Sequence, residues 1–192
     1  MTISFTDQMP CRTLMLSGGL LLATWLTFAV LDPLTRWIYP ETAVNAIVVF
    51  LPHCVRVVGA WLYGWLSAAY LLPAQVILFI VNDGMGLPTG PALLLFAVYL
   101  VTAPLAFQIL AIFGFDLRSN AALRYNWRSV VFAGAIAAGM NAVSLHLIRF
   151  DAIPTDEHLS GVAYLVLGDV LGVIVGLATM MGLSRMMRSL GG

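Results

Sequence analysis

Between Pro91 and Phe115 the chain reads PALLLFAVYLVTAPLAFQILAIFGF, without one charged side chain. That run exceeds the roughly 20 apolar residues an α-helix needs to cross the hydrocarbon of a bilayer. A helix apolar on every side has no face to offer water, so the segment reads as a transmembrane helix. Comparable runs extend from Thr13 to Leu31, Val44 to Trp65, Leu66 to Val81, Ser129 to Ile148 and Leu159 to Leu183. Turn-forming and charged residues punctuate most of the joints: Asp32-Pro33, Asn82-Asp83-Gly84, Asp116 to Asn126 and Asp151 to Glu157. The pattern predicts an all-α membrane protein, a single integral domain over residues 1–192 with about six transmembrane helices.

The second run departs from this regularity. Val44 to Leu51 is rich in β-branched residues, and Pro52 removes a backbone donor where a helix would need one. An irregular or broken second span is therefore expected before Pro52, and only Gly64 and its neighbours separate that span from the third.

Composition agrees with the hydropathy. Of 192 residues, 61% are apolar and 9% charged, whereas ordinary globular chains are nearer a quarter charged. Nine basic residues, all arginine, balance nine acids, so no basic footprint for nucleic acid exists. Two cysteines, Cys11 and Cys54, form neither a disulfide framework nor a metal-ligand spacing. There is no H-E-x-x-H, G-x-S-x-G or C-x-x-C motif and no paired-aspartate set within the spans. Neither an enzyme nor a bound metal or cofactor is expected. Filter-like loops and inverted transporter repeats are not visible either.

Charge placement predicts the orientation. With a cytoplasmic amino terminus, Arg12, Arg118, Arg124, Arg128, Arg185 and Arg188 fall inside, and Arg36 and Arg149 fall outside. Both termini are thus expected in the cytoplasm of a bacterial-type inner membrane. The first run is too long for a signal-peptide core, and no small-x-small triplet follows it. The arginines between Asp116 and Arg128 are explained by this bias.

Two charges belong to no loop, Arg56 in the second span and Asp169 in the sixth. An ionisable group at membrane depth faces the bundle and has a partner by default. Counted from the outer ends at a helical rise, both lie roughly ten residues down, so an Arg56–Asp169 ion pair is expected, direct or through water. His53, Arg56, Ala60 and Tyr63 share one stripe facing the bundle, while Val55, Val58, Leu62 and Leu66 form another expected to face lipid. Asn82 and Asn141, with His53 and the ion pair, place a candidate ligand-binding cavity in the outer half. Gly168, Gly172 and Gly176 repeat every four residues, a face on which another helix packs closely; Gly19 with Ala23, and Ala135 with Gly139, are similar small faces. Lipid is the certain partner, with a small-molecule ligand and a membrane or cytoplasmic protein as the further candidates.

Two segments add a resemblance. Phe50-Leu51-Pro52-His53-Cys54-Val55-Arg56, with Gly64 eight residues on, is similar to the proline-containing start of a helix in the first membrane-associated sensor family. Tyr164-Leu165-Val166-Leu167-Gly168-Asp169-Val170-Leu171-Gly172 resembles that family's Gly-Asp-x-x-Gly helix, and Asn82 followed by Pro88 resembles its third-to-fourth helix turn. The resemblance implies a sensory module, here a stand-alone one that signals through a separate protein. The six-span size also looks like the substrate-binding component of energy-coupling-factor transporters, with Gly19-x-x-x-Ala23 as its docking face. A structural or assembly subunit is the third alternative.

Overall fold

The computed structural model describes residues 5–38, 47–83, 89–117, 127–150 and 158–190. Asn45, Pro88, Arg118, Arg124 and the Asp151 to Glu157 segment lie outside them. Among the described residues every regular element is a helix: α1 Phe5–Leu26, a π-helical turn Thr27–Leu31, α2 Asp32–Ile38, α3 Leu51–Tyr63, α4 Leu66–Asp83, α5 Gly90–Ile112, α6 Trp127–Ile148 and α7 His158–Leu190. Four rods, Gln8–Ile38, Gly90–Ile112, Trp127–Ile148 and Leu159–Ser189, are long and apolar enough to cross a membrane, and Leu66–Val81 is a shorter apolar helix. The chain thus has the architecture of a multi-pass membrane protein.

The first rod does not stop at Asp32-Pro33. A proline inside a helix lacks a donor and its ring crowds the carbonyl four residues back; here the turn widens to π geometry just before Pro33, and the helix continues to Ile38. The same problem at Pro73 in α4 is met by a neighbour. Ser17 Oγ donates to the Tyr70 carbonyl at 2.7 Å and accepts from the Ala74 amide at 3.4 Å. Hydroxyls that satisfy backbone groups beside a proline are what make such residues tolerable in lipid.

The second span breaks before Pro52. Ile47 to Phe50 is non-helical, and α3 starts at Leu51 with Pro52 in its first turn, where a proline costs no hydrogen bond. Thirteen residues of α3 rise only about 20 Å, less than the ~30 Å hydrocarbon layer. The helix ends at Gly64, whose φ of 58° no side-chain-bearing residue adopts easily at its ψ of −132° and whose amide donates to the Ala60 carbonyl at 2.8 Å. A two-residue corner then starts α4.

This short α3 is the hub of the molecule, touching α1, α4, α5, α6 and α7. Cys54, Val57, Val58 and Ala60 are buried against Ala103, Phe107, Ala133 and Val173. The stripe expected to face lipid is therefore corrected in part. Val58 is in the core and Val55 packs against the Leu20–Leu71–Ala74 cluster, leaving Leu62 and Leu66 exposed. Gly19 faces Val55 and Ala23 is buried, so this small pair packs within the bundle and not as an outward docking face.

Contacts along each pair of helices fix their directions. α3 runs against α1, where Gly19 faces Val55 and Thr27 meets Leu51. It also runs against α4, where Tyr63 meets Tyr70 and Arg56 meets Gln75. α6 runs against α7 through Gly134 with Val173, Asn141 with Asp169 and His146 with Gly161. Phe5 and Leu190 consequently lie at one face, and the last residues of α2, α4 and α6 lie at the other.

Candidate functional site

Glycines on α7 build the site's back wall. A Cβ on Gly168 would strike the Ile47 carbonyl, one on Gly172 the Phe50 carbonyl, and one on Gly176 the Cys54 side chain. The chain from Ile47 to Cys54 therefore runs alongside α7 in the same direction, and the Phe50 amide donates to the Gly168 carbonyl at 3.0 Å. Helix α3 packs on this face at Gly176 and, through its first residue, beside Gly172, while at Gly168 the neighbour is the non-helical backbone that leads into α3. Without side chains, α7 lets that backbone close enough to be hydrogen-bonded inside an apolar layer.

The other end of α3's entry is held by the π turn. Thr27, fully buried, donates its hydroxyl hydrogen to the Ala23 carbonyl at 2.9 Å and accepts from the Leu51 amide at 3.2 Å. It caps α3 from another segment, supplying one of the acceptors that helix starts require. Phe28, next in the same turn, packs edge-on to Phe50.

These elements enclose a cavity of about 340 Å³ in the half of the bundle away from Phe5 and Leu190. Its floor is polar and carries Arg56 from α3, Gln75 from α4, Tyr99 from α5, Asn141 from α6 and Asp169 from α7. Its upper wall is aromatic and aliphatic, including Phe28, Phe79, Phe96 and Leu165, and exposed Arg149 lines its rim.

The sequence-predicted residues converge on this place, with different partners from those expected. His53 is 1% exposed and its two ring nitrogens face two acceptors. Nε2 lies 3.0 Å from the Gly134 carbonyl and Nδ1 lies 3.4 Å from Asp169 Oδ2. Asn141 Nδ2 donates to the same carboxylate oxygen at 3.3 Å. Arg56 donates from Nη2 to Gln75 Oε1 at 3.3 Å, and Tyr99 stacks on its guanidinium with the ring centroid at 4.7 Å. The direct Arg56–Asp169 pair is not made, although both side chains face the same cavity. The break before Pro52 is the reason: α3 is set so that Asp169 stands level with His53, one turn before Arg56.

Arg56 and Asn141 remain incompletely satisfied. They are 5% and 8% exposed, yet Arg56 Nε, Arg56 Nη1 and Asn141 Oδ1 find no hydrogen-bond partner among the described residues. Buried polar atoms of native proteins are paired as a rule, so these exceptions leave unused hydrogen-bonding capacity on two residues that line the cavity.

Asn82 falls in the last turn of α4, and its side chain lies outside the described residues. His146 stays away from the cavity, with Nδ1 facing the Ala142 carbonyl at 3.0 Å. Sequence alone marks neither Tyr99 nor Thr27 as a site residue and assigns Arg149 only an outer-face position. Tyr99 did carry a signal, since it stands well inside an apolar run, away from the interfacial belt where tyrosines anchor. Among the described residues no group of three or more histidine, cysteine or acidic side chains is placed to hold a metal ion. Compared with family models, with curated proteins and with solved structures, the chain finds no match.

Proposed function

We propose that this protein is a sensory or ligand-binding membrane module, which takes a small molecule between its helices and acts through a partner protein. The observation that carries the reading is that two nine-tenths-buried side chains lining one cavity, Arg56 and Asn141, keep atoms with no hydrogen-bond partner among the described residues. A bundle held together by polar contacts alone gains nothing by leaving such atoms unpaired, because each costs about 1–3 kcal/mol. No catalysis is part of the proposal. The family resemblance supports it, since Arg56 and Asp169, the residues of its two motifs, face the same space.

Arginine placement supports a bacterial-type inner-membrane setting with both termini cytoplasmic and the cavity on the outer side. Periplasmic activity of a reporter inserted between Asp151 and Glu157 is the expected outcome, and cytoplasmic activity there overturns that orientation. The same cavity would suit the solute-binding component of a transporter, but the small face offered for docking, Gly19 with Ala23, is used inside the bundle.

The ligand-binding reading is tested with the full chain in nanodiscs, by thermal shift against a panel of small acids, amines, sugars and neutral alcohols. A saturable shift that disappears in Ala142→Phe, which fills the cavity beside Asn141, is expected. Shifts that survive that substitution, or no saturable shift across the panel, overturn it.

A further inference from the structure

The proton inventory of the cavity floor reveals the charge of what fits there. A carbonyl oxygen accepts and never donates, so the Gly134 contact requires a hydrogen on His53 Nε2. The Nδ1 atom then faces Asp169 Oδ2 at 3.4 Å. A lone pair against a carboxylate oxygen is repulsive, and the contact is favourable only with one proton between the two atoms. Whether that proton rests on the imidazole or on the carboxyl, His53 and Asp169 together carry no net charge. Asn141, the third member of the cluster, is neutral.

Arg56 therefore makes no ion pair among the described residues, and Asp169 across the cavity is engaged by His53 and Asn141. A guanidinium does not shed its proton; its contacts, Gln75 and the Tyr99 ring, are neutral, and Nε and Nη1 find no acceptor among the described residues. Burying an unpaired ion is among the costliest arrangements a protein adopts, and an anion placed against it removes most of that cost. Arg149 at the rim adds a second positive charge on the way in. Asn141 Oδ1 finds no donor among the described residues, and a donor on the occupant fits beside it. The remaining wall, with Phe28, Phe79, Phe96 and Leu165, needs an apolar body. A volume of about 340 Å³ is at the small end of the usual range for ligand sites.

We infer that the cavity between Arg56, Asn141 and the phenylalanine wall binds a small apolar carboxylate that also carries one hydroxyl or N–H donor. The carboxylate lies toward Arg56, the donor toward Asn141, and the hydrocarbon part against Phe79 and Phe96. The inference rests on the ligand-binding reading above and adds the sign of the ligand's charge. The same chemistry is offered by a free acid from the outer aqueous phase and by an acid released from lipid.

The test uses the full chain in phosphatidylcholine nanodiscs and three probes of one shape: 3-phenyllactate, its neutral diol analogue 3-phenyl-1,2-propanediol, and the cation phenethylamine. Calorimetric titration is expected to give saturable phenyllactate binding, at least tenfold weaker binding of the diol and none of the amine. Arg56→Gln is expected to abolish the preference for the acid over the diol. If that variant does not fold, Arg56→Lys, which keeps the charge, is expected to keep the preference. Equal or tighter binding of the diol or amine overturns the anion inference and leaves the ligand-binding reading intact. Binding of none of the three, while other members of the thermal-shift panel bind, does the same. Adding oleate to the discs separates the two sources: a tenfold loss of phenyllactate affinity points to a lipid-derived acid, and unchanged affinity to a water-borne one.

Discussion

The Phe50 amide donates to the Gly168 carbonyl at 3.0 Å, and this one bond joins a non-helical stretch of the second span to the last helix. It is possible because no side chain on Gly168 or Gly172 stands between the two backbones. Alanine at either position drives a methyl group into a carbonyl oxygen, Ile47 or Phe50 respectively. Each substitution is expected to lower stability in detergent by about 1–3 kcal/mol, the usual cost of overpacking. Gly182→Ala, where nothing lies within 4 Å of the added carbon, is expected to leave the unfolding midpoint unchanged. Equal effects at Gly168 and Gly182 would rule out the close approach.

Asp169 belongs to His53 more than to Arg56, and double-mutant cycles distinguish the two pairings. Combining His53→Leu with Asp169→Asn is expected to show a coupling of about 1–3 kcal/mol in chemical denaturation. Combining Arg56→Leu with Asp169→Asn is expected to be additive within about 0.5 kcal/mol. The opposite ranking would restore an arginine–aspartate pair as the organising contact.

Thr27 reaches from the π turn to cap α3 at Leu51. Thr27→Val keeps the shape and removes the acceptor, with an expected loss of about 1 kcal/mol, the usual size of a helix-cap deletion. Thr27→Ser keeps the hydroxyl and is expected to retain most of the stability. A valine variant as stable as the parent on thermal unfolding would show that the Leu51 amide is satisfied some other way.

The two cysteines report on the hub position of α3. Cys11 is exposed on α1, whereas Cys54 is buried between α3 and Gly176. A small maleimide is expected to label one thiol in the folded protein and both after denaturation, with mass spectrometry placing the first label on Cys11. Rapid native labelling of Cys54 would contradict a fully surrounded α3.

Much of this architecture is legible in the residues. Apolar runs with Asp-Pro and Asn-Asp-Gly joints mark the crossings, and Val44 to Pro52 marks the interrupted one, because missing donors and β-branched crowding are local properties. The burial of α3 is not legible. Inside a membrane, valines facing lipid and valines facing other helices look alike in sequence, so Val55 and Val58 gave no sign of their inward setting. The partner of Asp169 was equally hidden. Depth counted by residue number assumes helical rise of about 1.5 Å throughout, and the non-helical backbone from Ile47 to Phe50 does not keep to it. A few such residues shift the register by a turn and exchange Arg56 for His53. Tyr99 went unread because a tyrosine in an apolar run does not reveal which cation it stacks on.

One property of α7 has a mechanical meaning. It is continuous over 33 residues, about 50 Å of rod by helical rise, and has no proline within it. Near its start it carries Asp169 and the glycines that grip the extended stretch, and its far end emerges at the face where Phe5 also lies. A tilt imposed at the carboxylate would therefore be carried along one unbroken helix to Arg185 and Arg188 at the opposite face of the bundle.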